Sequence, residues 1–413
     1  MLSKEQIMVK DAVVDLVSKS GLGSYPPNPL NLFSLRIGGY AGTGKTFLLS
    51  EIRKDLHRLY PRLGVAFVAF TGKAASVMEN KLINNGARFD DDYVGTIHGM
   101  IYRPETEWDP KTQTQIIKRW VKREKDELWH QIIFIDEASM VSRKIWRDLM
   151  SYEKPLVAVG DHGQLPPVGD TFNLIANPDY ELTEIQRQSV DSPIIKLSQF
   201  IRDHGYIPFN KFFSKEVFKL SWNLDQCRDI WNKIQFDSNI MVLSAFNKTR
   251  NKLNRSIRQK LNFKHKIPYP GERVICLKNN HWSGIMNGQL GEVLWMMPEE
   301  NGLYRMTIHI DGFPFPHECM VADRCFGVDE YATHGHDIPK QKSYAKDKGF
   351  LMVDLFDYGY ASSVHKAQGS EWDRVVVFEQ RTKHWDDKMY ARWLYTAVTR
   401  AVEKLFIISD YWG

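Results

Sequence analysis

The run Gly39-Tyr-Ala-Gly-Thr-Gly-Lys45-Thr46 has the spacing Gly-x4-Gly-Lys-Thr, and it sits between an apolar strand-like segment and a helical one. Glycines at 39, 42 and 44 let backbone N–H groups turn inward around phosphate oxygens. The helix that follows adds a favourable dipole at its start. Lys45 brings a positive charge to the β- and γ-phosphates, and Thr46 supplies an oxygen to Mg2+. The predicted cofactors are ATP and Mg2+, and the predicted reaction is hydrolysis of the triphosphate.

Three further groups of residues fit that chemistry. Ile132-Ile-Phe-Ile-Asp136-Glu137 is an apolar run ending in two acids. Asp136 is suited to holding Mg2+ through water, and Glu137 to taking a proton from the attacking water. Capping of the next helix is the competing use of these acids. Gly160-Asp161-His-Gly-Gln164-Leu-Pro-Pro carries a neutral side chain with both donor and acceptor, fit to sense a γ-phosphate or orient water. Arg187 and Arg400 are candidates to stabilise charge on the transferring phosphoryl group, although each alone also reads as a surface ion pair.

The elements that must hold these residues are legible as apolar runs. They are Phe33–Ile37, Val65–Phe70, Ile132–Ile135, Leu156–Val159, Ile240–Leu243, Val375–Phe378 and Leu405–Ile408. Short runs of β-branched and aromatic residues with helices between them predict buried parallel strands and an α/β fold. Four runs precede residue 160 and three follow 240, which predicts two sheets. At the start, Ser3 and Gln6 have the spacing of a capping box, followed by Val9, Ala12, Val13, Leu16 and Val17 at helical intervals. Residues 99–128 and 266–350 break the pattern and read as a small insertion and a larger β-rich one. The expected layout is residues 1–98 with 129–180 as a first domain and 181–265 with 351–413 as a second.

The net charge of +5 over 413 residues permits a polyanionic partner without requiring one. No run is long and apolar enough to predict a membrane span, and the charged start lacks a secretory pattern. Cys227, Cys276, Cys319 and Cys325 form no C-x-x-C pair and read as free thiols in a reducing, cytoplasmic setting. His317, Cys319, Cys325, His334 and His336 fall within twenty residues. Their spacing matches no standard zinc pattern and reads better as loop histidines and buried thiols. The basic stretch 118–123 reads as a solvated face, with contact to duplex DNA as the alternative.

Together these motifs resemble superfamily 1 helicases, in particular the 5′-to-3′ branch, superfamily 1B, that includes the phage Dda, RecD2 and Pif1 helicases. The matching segments run in family order from Leu2 to Ala401. The resemblance implies two RecA-like P-loop motor domains with ATP between them, a wedge-bearing insertion (1B) at 99–128 and an SH3-like insertion (2B) at 266–350. It assigns adenine reading to Gln6, and nucleotide contact to Gly369 and Glu371. DNA contact is assigned to Thr71 and Lys73, to Thr96 and His98, to Asn247, and to Ser362, Ser363 and His365. The run Phe246-Asn247-Lys-Thr-Arg250, followed by Asn254 and Arg258, resembles the strand and helix of the second motor domain that also contact DNA. Arg187 and Arg400 match the two arginine fingers, expected to arrive from the domain facing the phosphate loop. The chain departs from the common pattern at Phe70-Thr71, where many relatives have Pro-Thr, and at Ser362-Ser363, where a threonine is common. A hydroxyl is kept in both. Trp108 is the candidate wedge tip, with a buried structural tryptophan as the alternative.

The activity implied is an ATP-dependent DNA helicase moving 5′-to-3′ on single-stranded and fork DNA as a monomer. A phage-type replication or recombination role is implied, with a single-strand-binding protein or replisome component as a further partner. An ATPase that remodels such a complex without unwinding alone, and an RNA helicase, are the alternatives.

Overall fold

The computed structural model describes residues 2–20, 34–109, 114–166, 172–186, 191–209, 214–278, 287–311, 315–328 and 353–410, with 280, 285, 347 and 349. The chain divides into two compact units. One comprises Met1–Arg103 with Trp120–Arg202, the other Pro104–Arg119 with Asp203–Gly413.

The first unit opens with α1 (Lys4–Lys19), capped by Ser3 and Gln6 in the predicted reciprocal box. Then come β1 (Ser34–Gly39), α2 (Lys45–Leu59), β2 (Val65–Ala69), α3 (Gly72–Asn84), β3 (Tyr93–Thr96) and α4 (Ile97–Ile101). The small insertion that follows in the chain forms two paired strands, β4 (Tyr102–Asp109) and β5 (Thr114–Lys122), of which residues 104–119 fall in the second compact unit. So short a connection between pairing strands allows only an antiparallel hairpin. Trp108 lies near the end of β4, and its side chain is outside the described residues. Next are β6 (Ile132–Asp136), α5 (Arg143–Met150), β7 (Leu156–Gly160), β8 (Tyr180–Leu182) and α6 (Pro193–His204).

Six strands form one parallel sheet in the order β3-β2-β6-β7-β1-β8. Its central strands are apolar throughout because both faces are covered. Phe67, Phe134 and Val157 enter one core with Val13, Leu49 and Ile52 of the helices. Val68, Ile133 and Ala158 enter another with Ile97, Ile145 and Leu149. The expected domain boundary at 180/181 falls inside β8, which pairs with β1, and the compact unit continues to Arg202.

The second unit holds β9 (Val217–Ser221), α7 (Asp225–Lys233), β10 (Ile240–Ser244) and α8 (Asn247–Lys260). A β-rich segment follows: β11 (Arg273–Cys276), β12 (Leu290–Pro298), β13 (Leu303–Ile310), β14 (His317–Ala322), β15 (Val353–Asp354) and β16 (Phe356–Tyr358). The unit ends with β17 (Ala361–Ser363), β18 (Trp372–Phe378), α9 (Asp387–Val398) and β19 (Ala401–Ser409). Its parallel sheet runs β17-β10-β18-β19-β9. The insertion is a separate sheet, β15-β14-β13-β12-β11-β16, antiparallel except at β14/β15. This second sheet reaches Tyr358, beyond the expected limit at 350. Among the described residues no helix is long and apolar enough to cross a membrane. All four cysteines are free and buried.

Candidate functional site

The phosphate loop joins the C-terminal end of β1 to the start of α2. Gly44 is the N-cap of α2 and has φ 75°, ψ 28°, a left-handed conformation that costs glycine nothing. A Cβ there would also stand 2.9 Å from the Gln6 amide nitrogen. Gln6 is fully buried. Its Nε2 donates to the Thr43 carbonyl at 3.0 Å, and its Oε1 accepts from Ser3 N–H at 3.0 Å. One side chain thus caps α1 and holds the loop, so its capping and loop-side roles coexist. Lys45 Nζ reaches across the loop to the carbonyls of Gly39 (2.9 Å) and Tyr40 (3.0 Å). Thr46, one residue inside α2, is half-buried.

Asp136 ends β6 and accepts from the Glu137 backbone N–H at 2.9 Å. Glu137 sits at φ 52°, ψ 41°, a region that residues with a Cβ rarely adopt. Such an outlier persists only where the surroundings over-determine it, as at functional sites. After β7, Asp161 accepts from Gly163 N–H (2.9 Å) and from Gln164 Nε2 (3.4 Å). The Gln164 Oε1 is buried and has no hydrogen-bond partner among the described residues. The Tyr40 ring in the phosphate loop lies between His162 (ring centroids 4.2 Å) and the Arg202 guanidinium (4.1 Å). Burial lowers the His162 pKa, with Glu181 at 3.2 Å opposing it. Neither His162 nor Arg202 was visible as a loop neighbour from sequence, since no local spacing links them to Tyr40.

Arg187 is outside the described residues, but its neighbour Gln186 donates its backbone N–H to Gly42 at 3.0 Å.

Thr71 and Thr96 follow or end β2 and β3. Each is an N-cap, accepting from Ala74 N–H (3.2 Å) and Gly99 N–H (3.0 Å) respectively. Capping uses the hydroxyl as acceptor, which leaves its O–H able to donate to a phosphate oxygen. His98 packs against Tyr102 (5.3 Å) and Phe70 (6.4 Å), and burial lowers its pKa. The Lys73 backbone lies in the first turn of α3; its side chain is outside the described residues. Register puts Thr96 and Asp136 opposite the same residue, Ala69, and Gly38 opposite Gly160. All these candidates therefore share the carboxyl-terminal edge of one sheet, where open α/β sheets bind ligands.

In the second unit, Ser244 pairs with Ser363. This brings Asn247, Ser363 and His365 to the carboxyl ends of β10 and β17. Ser362, within β17, donates to the Ser363 carbonyl at 3.3 Å. Burial lowers the His365 pKa. Phe246, beside Asn247, is an exposed aromatic. Gly369 adopts φ 72°, and Glu371 is exposed. Arg400 is buried and donates to the Thr396 carbonyl (3.0 Å), the Ser370 carbonyl (3.1 Å) and Thr399 Oγ (3.2 Å). Register pairs Trp372 with Ala401, so Glu371 and Arg400 precede adjacent strands at the amino-terminal edge.

The DNA-contact reading of the rest of α8 is corrected. Arg250 is fully buried and pairs with Asp357 at 3.0 Å. Arg258 pairs with Glu272 at 2.6 Å. Asn254 accepts from Tyr360 N–H (3.1 Å) and Ala361 N–H (2.8 Å) and donates to the Ala361 carbonyl (3.2 Å). These side chains fasten α8 to β17 and to the insertion, and cannot also reach a strand in solvent.

Of the cysteine and histidine group, His317 and Cys319 lie together with Asp354. Cys325 packs apart, with Leu303, Met320 and Ala322, and His334 and His336 are outside the described residues.

Two family models match the chain: an AAA domain over residues 32–170 and a UvrD-like helicase C-terminal domain over residues 358–408. The chain is 26% identical to the ATP-dependent RecD2 DNA helicase of Deinococcus radiodurans, over 67% of its own length and 36% of that protein. It is 24% identical to the ATP-dependent DNA helicase Dda of Enterobacteria phage T4, over 90% of its length and 93% of that protein. It thus spans about a third of RecD2 but nearly all of Dda. A crystal structure of Pif1 helicase from Bacteroides, in complex with ADP-AlF3 and ssDNA, superposes over the whole chain and 93% of that protein with TM-score 0.55 at 18% identity. That likeness extends to the fold: two RecA-like sheets with a β-rich insertion in the second.

Proposed function

We propose, from the chain's membership of the superfamily 1B helicases, that it is an ATP-dependent DNA helicase that moves 5′-to-3′ along single-stranded DNA and opens forked duplex. The observation that carries this reading is the common edge of the first sheet. Phosphate-loop residues Lys45 and Thr46, the acids Asp136 and Glu137, and the hydroxyls of Thr71 and Thr96 all stand at carboxyl ends of its strands. A nucleotide at one end of that edge and a strand at the other would press on one rigid element.

In this reading the glycines at 39, 42 and 44 receive the phosphates, Lys45 exchanges its loop carbonyls for phosphate oxygens, and Gln6 reads the adenine. Thr46 and Asp136 would hold Mg2+, which neutralises phosphate charge. Glu137 accepts a proton from the attacking water while Gln164 orients it. Arg187 and Arg400 stabilise charge on the transferring group. Arg400 uses three of its five N–H donors internally, which leaves two for a phosphate. Gly369 and Glu371 contribute on the nucleotide side. Thr71, Lys73, Thr96, His98, Asn247, Ser362, Ser363 and His365 hold the strand through its backbone, a sequence-neutral grip that a translocase needs. Phe246 adds a surface on which a base can stack.

We take residues 1–98, 129–180 and the stretch to Arg202 as the first motor domain, the hairpin as its insertion, and 266–358 as the insertion of the second. A monomer in a cytoplasmic setting is the proposed working form. A single-strand-binding protein or replisome component is the proposed further partner, in phage-type replication or recombination.

The test is unwinding of two partial duplexes, one with a 5′ tail and one with a 3′ tail. Strand separation restricted to the 5′-tailed substrate is expected. Robust ATPase without unwinding of either would favour the remodelling alternative, and stimulation by RNA over DNA would favour the RNA one.

A further inference from the structure

The insertion sheet of the second unit brings together three side chains able to hold a metal ion. His317 and Cys319 are two apart on β14 and so point to the same face. The β14/β15 register pairs Val321 with Asp354, which puts the carboxylate on that face as well. One donor atom from each residue lies within 4.8 Å of the others. His317 Nε2 stands 3.7 Å from Asp354 Oδ2, too far for a hydrogen bond.

The surroundings are unusual for such groups. Cys319 is fully buried, and the Asp354 side chain is only 7% exposed. Asp354 Oδ1 accepts from Asn280 Nδ2 at 2.7 Å, which fixes the carboxylate's orientation. His317 Nε2 is buried without a hydrogen-bond partner among the described residues. A buried polar atom left unpaired is costly, and a carboxylate taken out of water needs a compensating charge. A divalent cation among the three would supply both. Ligands about 2.0–2.3 Å from one tetrahedral zinc lie roughly 3.3–3.8 Å apart, so a contraction of about 1 Å brings this set to coordination distance.

We propose that His317, Cys319 and Asp354 form a structural site for a zinc-type divalent transition-metal ion. One imidazole, one thiolate and one carboxylate suit zinc or cobalt and disfavour the all-oxygen cations. Binding displaces the thiol proton of Cys319 to solvent and forms a sulfur–metal bond, with no change of oxidation state. The fourth position is left to water at the His317 edge, where the side chain is 15% exposed. The ion ties β15 to β14, and β15 is the strand that needs it: two residue pairs hold it there.

The experiment uses the purified full chain, stripped with a chelator under reducing conditions and then given Zn2+ or Co2+. Stoichiometric zinc by elemental analysis, a thiolate-to-cobalt charge-transfer band, and a zinc-dependent rise in the melting temperature are expected. Cys319→Ser should lose the band, and His317→Gln and Asp354→Asn should lose stoichiometric binding, while Cys325→Ser keeps both. Should Cys319→Ser fail to fold, the other two variants and the wild-type cobalt spectrum carry the decision. Substoichiometric zinc in the wild type, a band that survives in Cys319→Ser, or binding unchanged in His317→Gln and Asp354→Asn would overturn the site.

Discussion

The two parallel sheets carry their candidate chemistry differently. In the first, nucleotide and strand candidates share one edge and are separated sideways: Lys45, Asp136 and Gln164 at or beyond the ends of β1, β6 and β7, Thr71 and Thr96 at or beyond those of β2 and β3. In the second they are separated along the strands. Asn247, Ser363 and His365 stand at the carboxyl ends, and Glu371 and Arg400 at the amino ends, roughly 20 Å away by strand length. Residues 363–372 run from one end to the other, so a single short segment spans that distance. The two units also spend their polar residues differently. Those at the edge of the first sheet are caps and loop contacts that keep donors available. Those of α8 in the second are consumed in buried bonds that fasten the scaffold. A polar residue in a motif is thus no guide to its role until its partners are known.

The sharpest test of this contrast is Lys45→Ala. ATPase should fall roughly 100-fold or more while the melting temperature stays close to wild type. Full turnover in that variant would end the phosphate-loop assignment. Asp357→Ala should behave in the opposite way, because it leaves the Arg250 guanidinium buried without a counter-charge. A loss of about 3–5 kcal/mol in a denaturant titration is expected. Asn254→Ala probes a residue between these extremes. It should cost about 1–3 kcal/mol by stranding the backbone groups of β17. Since β17 ends in Ser363, single-stranded DNA affinity, read by fluorescence anisotropy, should weaken too.

A fourth prediction concerns pH. His130 is buried against Trp129 with neither ring nitrogen hydrogen-bonded among the described residues, and burial lowers its pKa to about 4. The folded state therefore favours the neutral ring. Its contribution is whole above the ordinary histidine pKa near 6.5 and is lost as pH falls from there towards 4. His130→Gln should flatten the melting-temperature profile across that window, and an unchanged slope would refute the assignment. The smallest effect is expected at Thr96→Val, which removes a helix cap worth about 1 kcal/mol together with the donor proposed for phosphate. Thr96→Ser should restore both the stability and the DNA affinity.

Much of this protein was legible in its sequence. The phosphate loop, the Asp136-Glu137 pair and the long apolar strands announce themselves because backbone conformation, charge and two-sided burial each demand particular residue types within a few positions. The capping box at Ser3 and Gln6 is local for the same reason. Strands of three or four residues such as β3, β8 and β17 escaped notice, because Tyr-Val-Gly-Thr or Ala-Ser-Ser carries too little periodicity to mark an element. Only the tertiary structure decided that Arg250, Asn254 and Arg258 are scaffold, since their partners lie 14 to 107 residues away in sequence. It also replaced a string of histidines and cysteines by His317, Cys319 and Asp354, for the carboxylate arrives on another strand. Spacing along the chain specifies what neighbouring residues can do together; pairing between distant strands sets which side chains meet.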